Sequence, residues 1–467
     1  MAHIQSGLDT TLATVDPTYK ALQVINKGVS DVKFNHNDFT LDAFQRLRVS
    51  EPRIVFEYSF SAVSPSSATT IWESTAVSAG TINLNTNLYG TELNTTTVAG
   101  SGYWIQSYNH IRYAPGVSTM LRFTFNLNEL TTGVRSRIGM FTDQGTFPST
   151  AGDGLYFEMD GSTASFVRRS LASGAGGVEE RITQSNWNVN KMDGTGDIIN
   201  PTQNTYTIDW TLAQHLVIEY QFLGVGKIRF GFELGNGVVW CHEITSVNAL
   251  TTTWGRTGTL PVRAECYAAS TLATVGKLTL INVTVLHEGD VSENRGWRFF
   301  GANTGATVKT VGATVGLYPL ISLRAATTND ITKRARIVPN SISIAVTTAS
   351  AGATSILVSL LMLPTPLTGA TFAVTTGGSV VTADIAATAT TAVTGVSIGT
   401  WLIPNVVGAY NFDLVNRVGN QNLVGYNAAG TVAITGSSIL TLAAGAMTGA
   451  GNTSFACVAT IDWKELV

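Results

Sequence analysis

Met120-Leu-Arg-Phe-Thr-Phe-Asn126 is the stretch whose reading decides the fold. Leu121, Phe123 and Phe125 fall on every second residue with Arg122 and Thr124 between them, which is the period of a strand with one buried face and not the three-to-four spacing of a helix. The same period returns in Ile54-Val-Phe-Glu-Tyr-Ser-Phe60 and in the segments 154–160, 216–222, 227–233, 238–243, 262–267 and 278–287. Leu223-Gly-Val-Gly226 and Glu233-Leu-Gly-Asn-Gly237 are short glycine-bearing connections of the hairpin kind, so 216–243 reads as a three-strand meander. With no long helical pattern between these runs, the chain is expected to be all-β, and 54–290 to fold as a large jelly-roll sandwich of two sheets.

On either side of this block the character changes. Residues 1–53 are rich in Asp, Asn, Lys and Thr with little periodicity, and are expected to form an extended N-terminal arm. Within it Asp16-Pro17 can open a helical turn or two over Tyr19–Ile25, since Asp caps and Pro is tolerated in the first turn. Residues 291–467 are expected to form a smaller C-terminal β-sandwich, with strands at 341–346, 355–363 and 437–442. From Ile337 to the end only Asp384, Asp413, Arg417, Asp462, Lys464 and Glu465 are charged. Strands without Lys or Pro to guard their edges aggregate unless covered, so a neighbouring subunit is the expected cover and this domain the expected oligomer contact.

Composition removes several functional classes. Charged residues make up 13% of the 467, against about 25% in an average soluble protein, while 44% are hydrophobic and the net charge is -3. Such a chain can bury a core and is not disordered. Without clustered Lys and Arg, nucleic acid is not an expected partner. The uncharged run 337–383 is broken by Thr, Ser, Gly and Pro every few positions and lacks the roughly 20 consecutive apolar residues of a spanning helix, so it reads as β-structure and no membrane association is expected. Cys241, Cys266 and Cys457 stand far apart without metal or disulfide spacing and read as small core residues. The opening Met1-Ala-His-Ile-Gln5 has no charged segment ahead of an apolar one, so no secretory signal is expected.

Chemistry-bearing candidates are few. Glu158 and Asp160 lie at i and i+2 in Leu155-Tyr-Phe-Glu-Met-Asp-Gly161, which puts both carboxylates on one strand face about 6 to 7 Å apart, a spacing compatible with glycoside hydrolysis. The β-glucan-cleaving jelly rolls carry Glu, one residue, Asp, two residues, Glu on such a strand; the third acidic position here is Thr163, so an exposed strand face is the expected role and no catalytic residue is assigned. Gly224-Val-Gly226 is followed by a strand and not by the helix a phosphate loop needs. Trp187-Asn-Val-Asn-Lys-Met-Asp-Gly-Thr-Gly196 lacks EF-hand spacing and reads as a structural loop with Trp187 packed at its root. His215, His242 and His287 have no ligand spacing and read as core or interface residues, so neither metal nor cofactor is expected. Trp72, Tyr103, Trp104, Tyr108 and Tyr113 cluster in a polar stretch, and are candidates for stacking on a sugar ring or for the core.

Two segments carry a resemblance. Leu41-Asp-Ala-Phe-Gln-Arg-Leu-Arg-Val-Ser-Glu-Pro52 resembles the Asp-Ala-Phe-Gly-Arg-Leu-Arg-Val-Ser signature near the N-terminus of many virion structural proteins of tailed bacteriophages, with Gln45 where that family has Gly. Residues 184–196 and 220–232 are similar to the central region of the same proteins, and Ile461-Asp-Trp-Lys-Glu465 suits their habit of ending on a Trp and an acidic residue. The resemblance implies a particle component made in the host bacterial cytoplasm and built into the virion, with a lectin-like, concanavalin-like jelly-roll sandwich at its centre; it brings no catalytic residues with it, and an architectural role and not an enzymatic one is expected. By analogy with phage appendages it implies a homotrimer in contact with other virion proteins of head or tail. A receptor-binding module gripping host surface glycan is the alternative, and a glycan-cleaving enzyme stands behind it. Phe44, Leu47 and Val49 offer apolar anchors in the signature, and Arg46 and Arg48 offer forked donors, so the arm is equipped to dock on a partner.

Overall fold

The structure, a computed structural model, describes residues 4–5, 12–15, 22–23 and 52–466, except 62–64, 66–70, 143–146, 149–151, 173–177, 236, 289–297, 306–307, 326–335, 375–378, 380, 388–391, 415–438 and 448–452. The chain divides into two compact units, Met1–Leu41 and Asp42–Val467. In the first, β1 (Ile4–Gln5), β2 (Leu12–Val15) and β3 (Leu22–Gln23) form a small antiparallel sheet. The helical turn expected over 19–25 is therefore corrected: Leu22 pairs with Val15 and Gln23 with Thr14, and ladder partners outweigh a local capping signal.

In the second unit the jelly-roll sandwich comprises β4 (Pro52–Ser59), β5 (Trp72–Val77), β6 (Thr81–Asn85), β7 (Gly90–Asn94), β8 (Gly102–Ile111), β9 (Ser118–Asn126), β10 (Val134–Phe141), β11 (Gly154–Asp160), β12 (Thr163–Ser170), β13 (Val178–Thr183), β14 (Gln214–Tyr220), β15 (Ile228–Leu234), β16 (Gly237–Ile244), β17 (Leu260–Ala268) and β18 (Lys277–Glu288). One sheet has the order β13-β12-β11-β10-β17-β8-β5, and the other β16-β15-β14-β9-β18-β7-β6, with β4 also on β18. Leu121, Phe123 and Phe125 of β9 point into the core between the sheets and meet Leu216 and Ile218 of β14 and Val283 and Val285 of β18. In β18 the register shifts between Leu280 and Asn282, a bulge that lets Leu278 and Leu280 on one side and Val283 and Val285 on the other all face inward. The meander expected over 216–243 is present as β14, β15 and β16, with Leu223 and Gly224 at positive φ in its first connection.

The C-terminal β-domain has its own core. Its strands are β19 (Arg298–Asn303), β20 (Lys309–Val311), β21 (Tyr318–Ala325), β22 (Arg336–Thr348), β23 (Ser355–Thr365), β24 (Ala373–Val374), β25 (Val381–Asp384), β26 (Thr394–Pro404), β27 (Gly408–Asp413), β28 (Ile439–Ala446) and β29 (Phe455–Leu466). They make a five-stranded sheet, β19-β29-β22-β27 with β20 on β29, and a six-stranded sheet, β24-β25-β21-β28-β23-β26. Ile342, Ile344, Ile461 and Trp463 of the first pack on Val358, Leu360, Leu440 and Leu442 of the second. The uncharged run 337–383 thus lies largely in β22, β23 and β25, and among the described residues no helix is long and apolar enough to cross a membrane. All three cysteines are free and buried, and burial pushes the thiols of Cys266 and Cys457 up to about 12.

Candidate functional site

The outward face of the seven-stranded sheet carries the only carboxylate pair that sequence singled out. On β11, Leu155, Phe157 and Met159 point into the core, which turns Tyr156, Glu158 and Asp160 to the other face. The neighbouring strands turn charged side chains the same way: Arg135 and Arg137 from β10, Arg263 and Glu265 from β17, Arg169 from β12, and Glu179 and Arg181 from β13. Glu265, Arg137 and Glu158 stand in one cross-strand row.

These groups form a chain of alternating charge. Arg263 Nε donates to Glu265 Oε1 at 2.7 Å, and Glu265 Oε2 is 3.4 Å from Arg137 Nη1. Arg137 Nε donates to Glu158 Oε2 at 2.7 Å, and Arg181 Nε donates to Glu158 Oε1 at 2.6 Å. Arg181 Nη2 then reaches Glu179 Oε2 at 2.7 Å, and Arg169 Nη1 lies 3.5 Å from Glu179 Oε1. Aromatic rings fill the space between: the guanidinium of Arg263 stacks 4.4 Å from Trp104, while that of Arg137 lies over Tyr156 and Tyr267. Gly139, beside Arg137 on β10, leaves room for this close packing, because a Cβ there would fall 2.3 Å from the Leu155 carbonyl oxygen.

Glu158 is 1% exposed. Burial alone would raise its pKa, but the hydrogen bond from Arg181 and the charge of Arg137 outweigh burial and hold the carboxyl below its usual range. Glu179 is held down in the same way, with burial opposed by the charges of Arg181 and Arg137. Asp160 is paired with Arg135 and partly exposed, and Thr163 stands opposite it at the start of β12. A carboxylate with both oxygens occupied by guanidinium groups is suited to holding three strands, β10, β11 and β13, in register. It is not suited to trading protons with a substrate. The exposed strand face expected for Glu158 is corrected here, since neighbouring arginines and rings bury it.

The aromatic cluster does not form one platform. Trp72 faces the core between the sheets, with Phe60 5.3 Å and Phe56 5.6 Å away, whereas Trp104 faces the opposite side of the same sheet beneath Arg263. Both rings are 1% exposed, so neither offers a sugar an open face, which corrects the stacking expectation for these two. Tyr113 is half-buried, lies edge-on to Phe222 at 5.1 Å, and accepts a hydrogen bond from the Leu223 backbone N–H at 3.0 Å. The Tyr108 side chain lies outside the described residues, as do Phe44, Arg46, Leu47, Arg48 and Val49.

The glycine-rich loop after Trp187 is internally satisfied. Trp187 stacks on Phe166 at 4.3 Å and its indole N–H donates to the Ile182 carbonyl, the root packing expected. Asn190 and Asn204 donate to the two oxygens of Asp197, and Asp193 accepts from Thr195 within its own turn. Among the described residues no three His, Cys, Asp or Glu side chains gather as metal ligands. His215, His242 and His287 stand on three different strands, and burial lowers the pKa of each, for the last two to about 4.

Arg137, Arg181, Arg263 and Glu265 were not foreseen as part of this network. A signal existed: Val134-Arg-Ser-Arg-Ile138 and Val262-Arg-Ala-Glu-Cys266 each place two charges at i and i+2 inside a run that otherwise reads as buried strand.

No family model matches the chain, and no curated protein does. Among solved structures, the chain is similar to an endo-β-1,4-glucuronan lyase from the fungus Trichoderma reesei, at 12% identity and a TM-score of 0.35 over 50% of this chain and 95% of that one. It is similar to an endo-1,3-β-glucanase from Streptomyces sioyaensis at 12% identity and a TM-score of 0.34, covering 51% and 97% of the two chains. A legume lectin-like domain from Entamoeba histolytica matches at 8% identity and a TM-score of 0.30 over 52% of this chain and 100% of that one.

Proposed function

We propose that this chain is a structural component of a tailed-phage particle, a head decoration, collar or fibre-type protein that acts through contacts between its own copies and with other virion proteins. The state of Glu158 carries the architectural part of this reading. The carboxylate best placed on sequence grounds for chemistry is clamped in its ionised form between Arg137 and Arg181, and the sheet face around it is spent on packing. A general acid or base has to exchange a proton in contact with its substrate, and a group so held does neither.

The resemblance in 41–52, 184–196 and 220–232 points to the particle, and to a homotrimer within it. The composition of the C-terminal domain supports the mode of action, because strands with so few ionised side chains are better covered by protein than by water. The arm, through Arg46 and Arg48, is the proposed contact with other virion proteins.

Mass spectrometry of purified particles, with antibody labelling to locate the protein, tests the reading. A fixed copy number at one site on the particle is expected. Arg46→Ala with Arg48→Ala should leave folding intact while reducing incorporation. A purified monomer that cleaves a polysaccharide, or absence of the protein from particles, would overturn the proposal, and a specific hit on a glycan array would move it to receptor binding.

A further inference from the structure

We infer that residues 188–190 are a strap that closes one side of the jelly-roll sandwich while His242 is neutral and lifts when acid protonates it. The switch is independent of the particle role proposed above. β13 stands at one end of the seven-stranded sheet and β16 at one end of the eight-stranded sheet. The chain leaves β13 through the short 3-10 turn Gln184–Asn186, sets Trp187 against Phe166, and then runs onto β16. There the side chain of Asn188 imitates a strand partner: Nδ2 donates to the Glu243 carbonyl at 2.9 Å, and Oδ1 accepts from the Glu243 N–H at 2.8 Å. The Val189 and Asn190 N–H groups both donate to the Cys241 carbonyl at 3.0 Å. Between these two fastenings the Asn188 N–H donates to Nδ1 of His242 at 3.2 Å.

A backbone N–H can only donate, so Nδ1 must keep its lone pair for the strap to sit closed. A proton on Nδ1 sets two donors face to face. The ring is buried, and burial holds it neutral, down to about 4, against the carboxylates of Glu180 on β13 and Glu243 on β16, which favour the cation. Both carboxylates are themselves engaged, Glu180 with Arg168 at 2.7 Å and Glu243 with Lys227 at 3.0 Å, and across the ladder His242 faces the uncharged Phe230 of β15. Once the strap lifts, the ring returns to water and titrates near its ordinary 6.5. The closed form thus binds fewer protons than the open one, so closure is full above about pH 6.5 and weakens as pH falls toward 4.

What the strap covers gives the switch a consequence. Val189 packs on Met120, Val217 and Trp240, an apolar set on the outward face of the eight-stranded sheet. Lifting 188–190 bares this set together with the Cys241 carbonyl and both backbone groups of Glu243 that the strap had paired. A strand edge beside an apolar patch is the surface on which a further β-strand is added. Trp187 stays stacked on Phe166 and serves as the hinge, because its hold on the core involves no titrating group.

Hydrogen exchange of the full-length chain from pH 7.5 to pH 5, with each rate divided by that of an unstructured chain at the same pH, tests the switch. Protection of peptides covering 188–190 and 241–243 should fall by about tenfold or more toward pH 5, while peptides covering 154–160 in β11 keep theirs. His242→Gln supplies a carbonyl oxygen that accepts from the Asn188 N–H and does not titrate, so it should keep the strap closed and flatten the profile. The unmodified chain decides the matter even if that variant fails to fold. Constant protection of 188–190 across the range would overturn the inference. So would a parallel loss over 154–160, which would mean unfolding of the whole sandwich, or an undiminished pH dependence in His242→Gln, which would assign the titration to another group.

Discussion

Arg137 on β10 and Glu158 on β11 stand directly opposite one another in register, with Nε 2.7 Å from Oε2 and the two side chains 3% and 1% exposed. An ion pair this deeply buried has given up most of its hydration. It holds because Glu265 takes the other side of the guanidinium and Arg181 the other oxygen of the carboxylate. Removing one member leaves the others charged and uncompensated, so the network has a larger effect when broken than its net stabilisation would suggest.

Glu158→Gln should therefore destabilise the sandwich by about 3 to 5 kcal/mol. Urea unfolding followed by tryptophan fluorescence measures this, and a double-mutant cycle with Arg137→Met should return a coupling energy on the order of 1 to 3 kcal/mol. An unchanged midpoint for Glu158→Gln would mean that the pair is not structural.

Acid should weaken the fold through two buried histidines. His242 and His287 are held neutral, chiefly by burial, with folded pKa values near 4, while an unfolded histidine titrates near 6.5. Between those values the unfolded chain binds more protons than the folded one, so stability is full above about pH 6.5 and falls as pH drops toward 4, by roughly 2 to 3 kcal/mol for each histidine. Melting temperature measured from pH 8 to pH 4 should show this slope, and His287→Gln should make it shallower. A flat profile would contradict the buried neutral state.

Gly139→Ala tests the close approach of β10 to β11. The added methyl would meet the Leu155 carbonyl oxygen at 2.3 Å and the Tyr156 Cα at 2.6 Å, both backbone atoms that cannot swing aside. A loss of about 1 to 3 kcal/mol is expected from this overpacking. Thermal denaturation measures it, and wild-type stability would show that the strands can part without cost.

Trp463 should matter to the C-terminal core alone. Its indole N–H donates to Glu465 Oε1 at 2.8 Å, both residues are fully buried, and the ring stacks on Phe300 at 6.2 Å. Trp463→Phe empties part of that space and removes a donor from a buried carboxylate, for a cost of about 2 to 4 kcal/mol. Because the sandwich and the C-terminal domain have separate cores, calorimetry should show only one of two transitions moving down.

What this sequence determined by itself is which residues face inward. The alternation of Leu121, Phe123 and Phe125, or of Leu155, Phe157 and Met159, is local, because successive side chains of a strand point to opposite faces wherever the strand lies. Local composition and spacing likewise placed Trp187 at the root of its loop and the three cysteines in the core. Local signals misjudged Leu22–Gln23, where capping gave way to ladder partners from β2, and Glu158, expected on an exposed face and found buried, and they left Trp104 undecided between solvent and interior. Only the tertiary structure decided those. Whether an outward residue is wet depends on which strands stand beside it, and the guanidinium groups around Glu158 come from β10 and β13, strands that no spacing within 154–160 encodes. Register between distant strands is set by the joint burial of both sheets, and that register made a chain of ion pairs from what sequence offered as two isolated carboxylates.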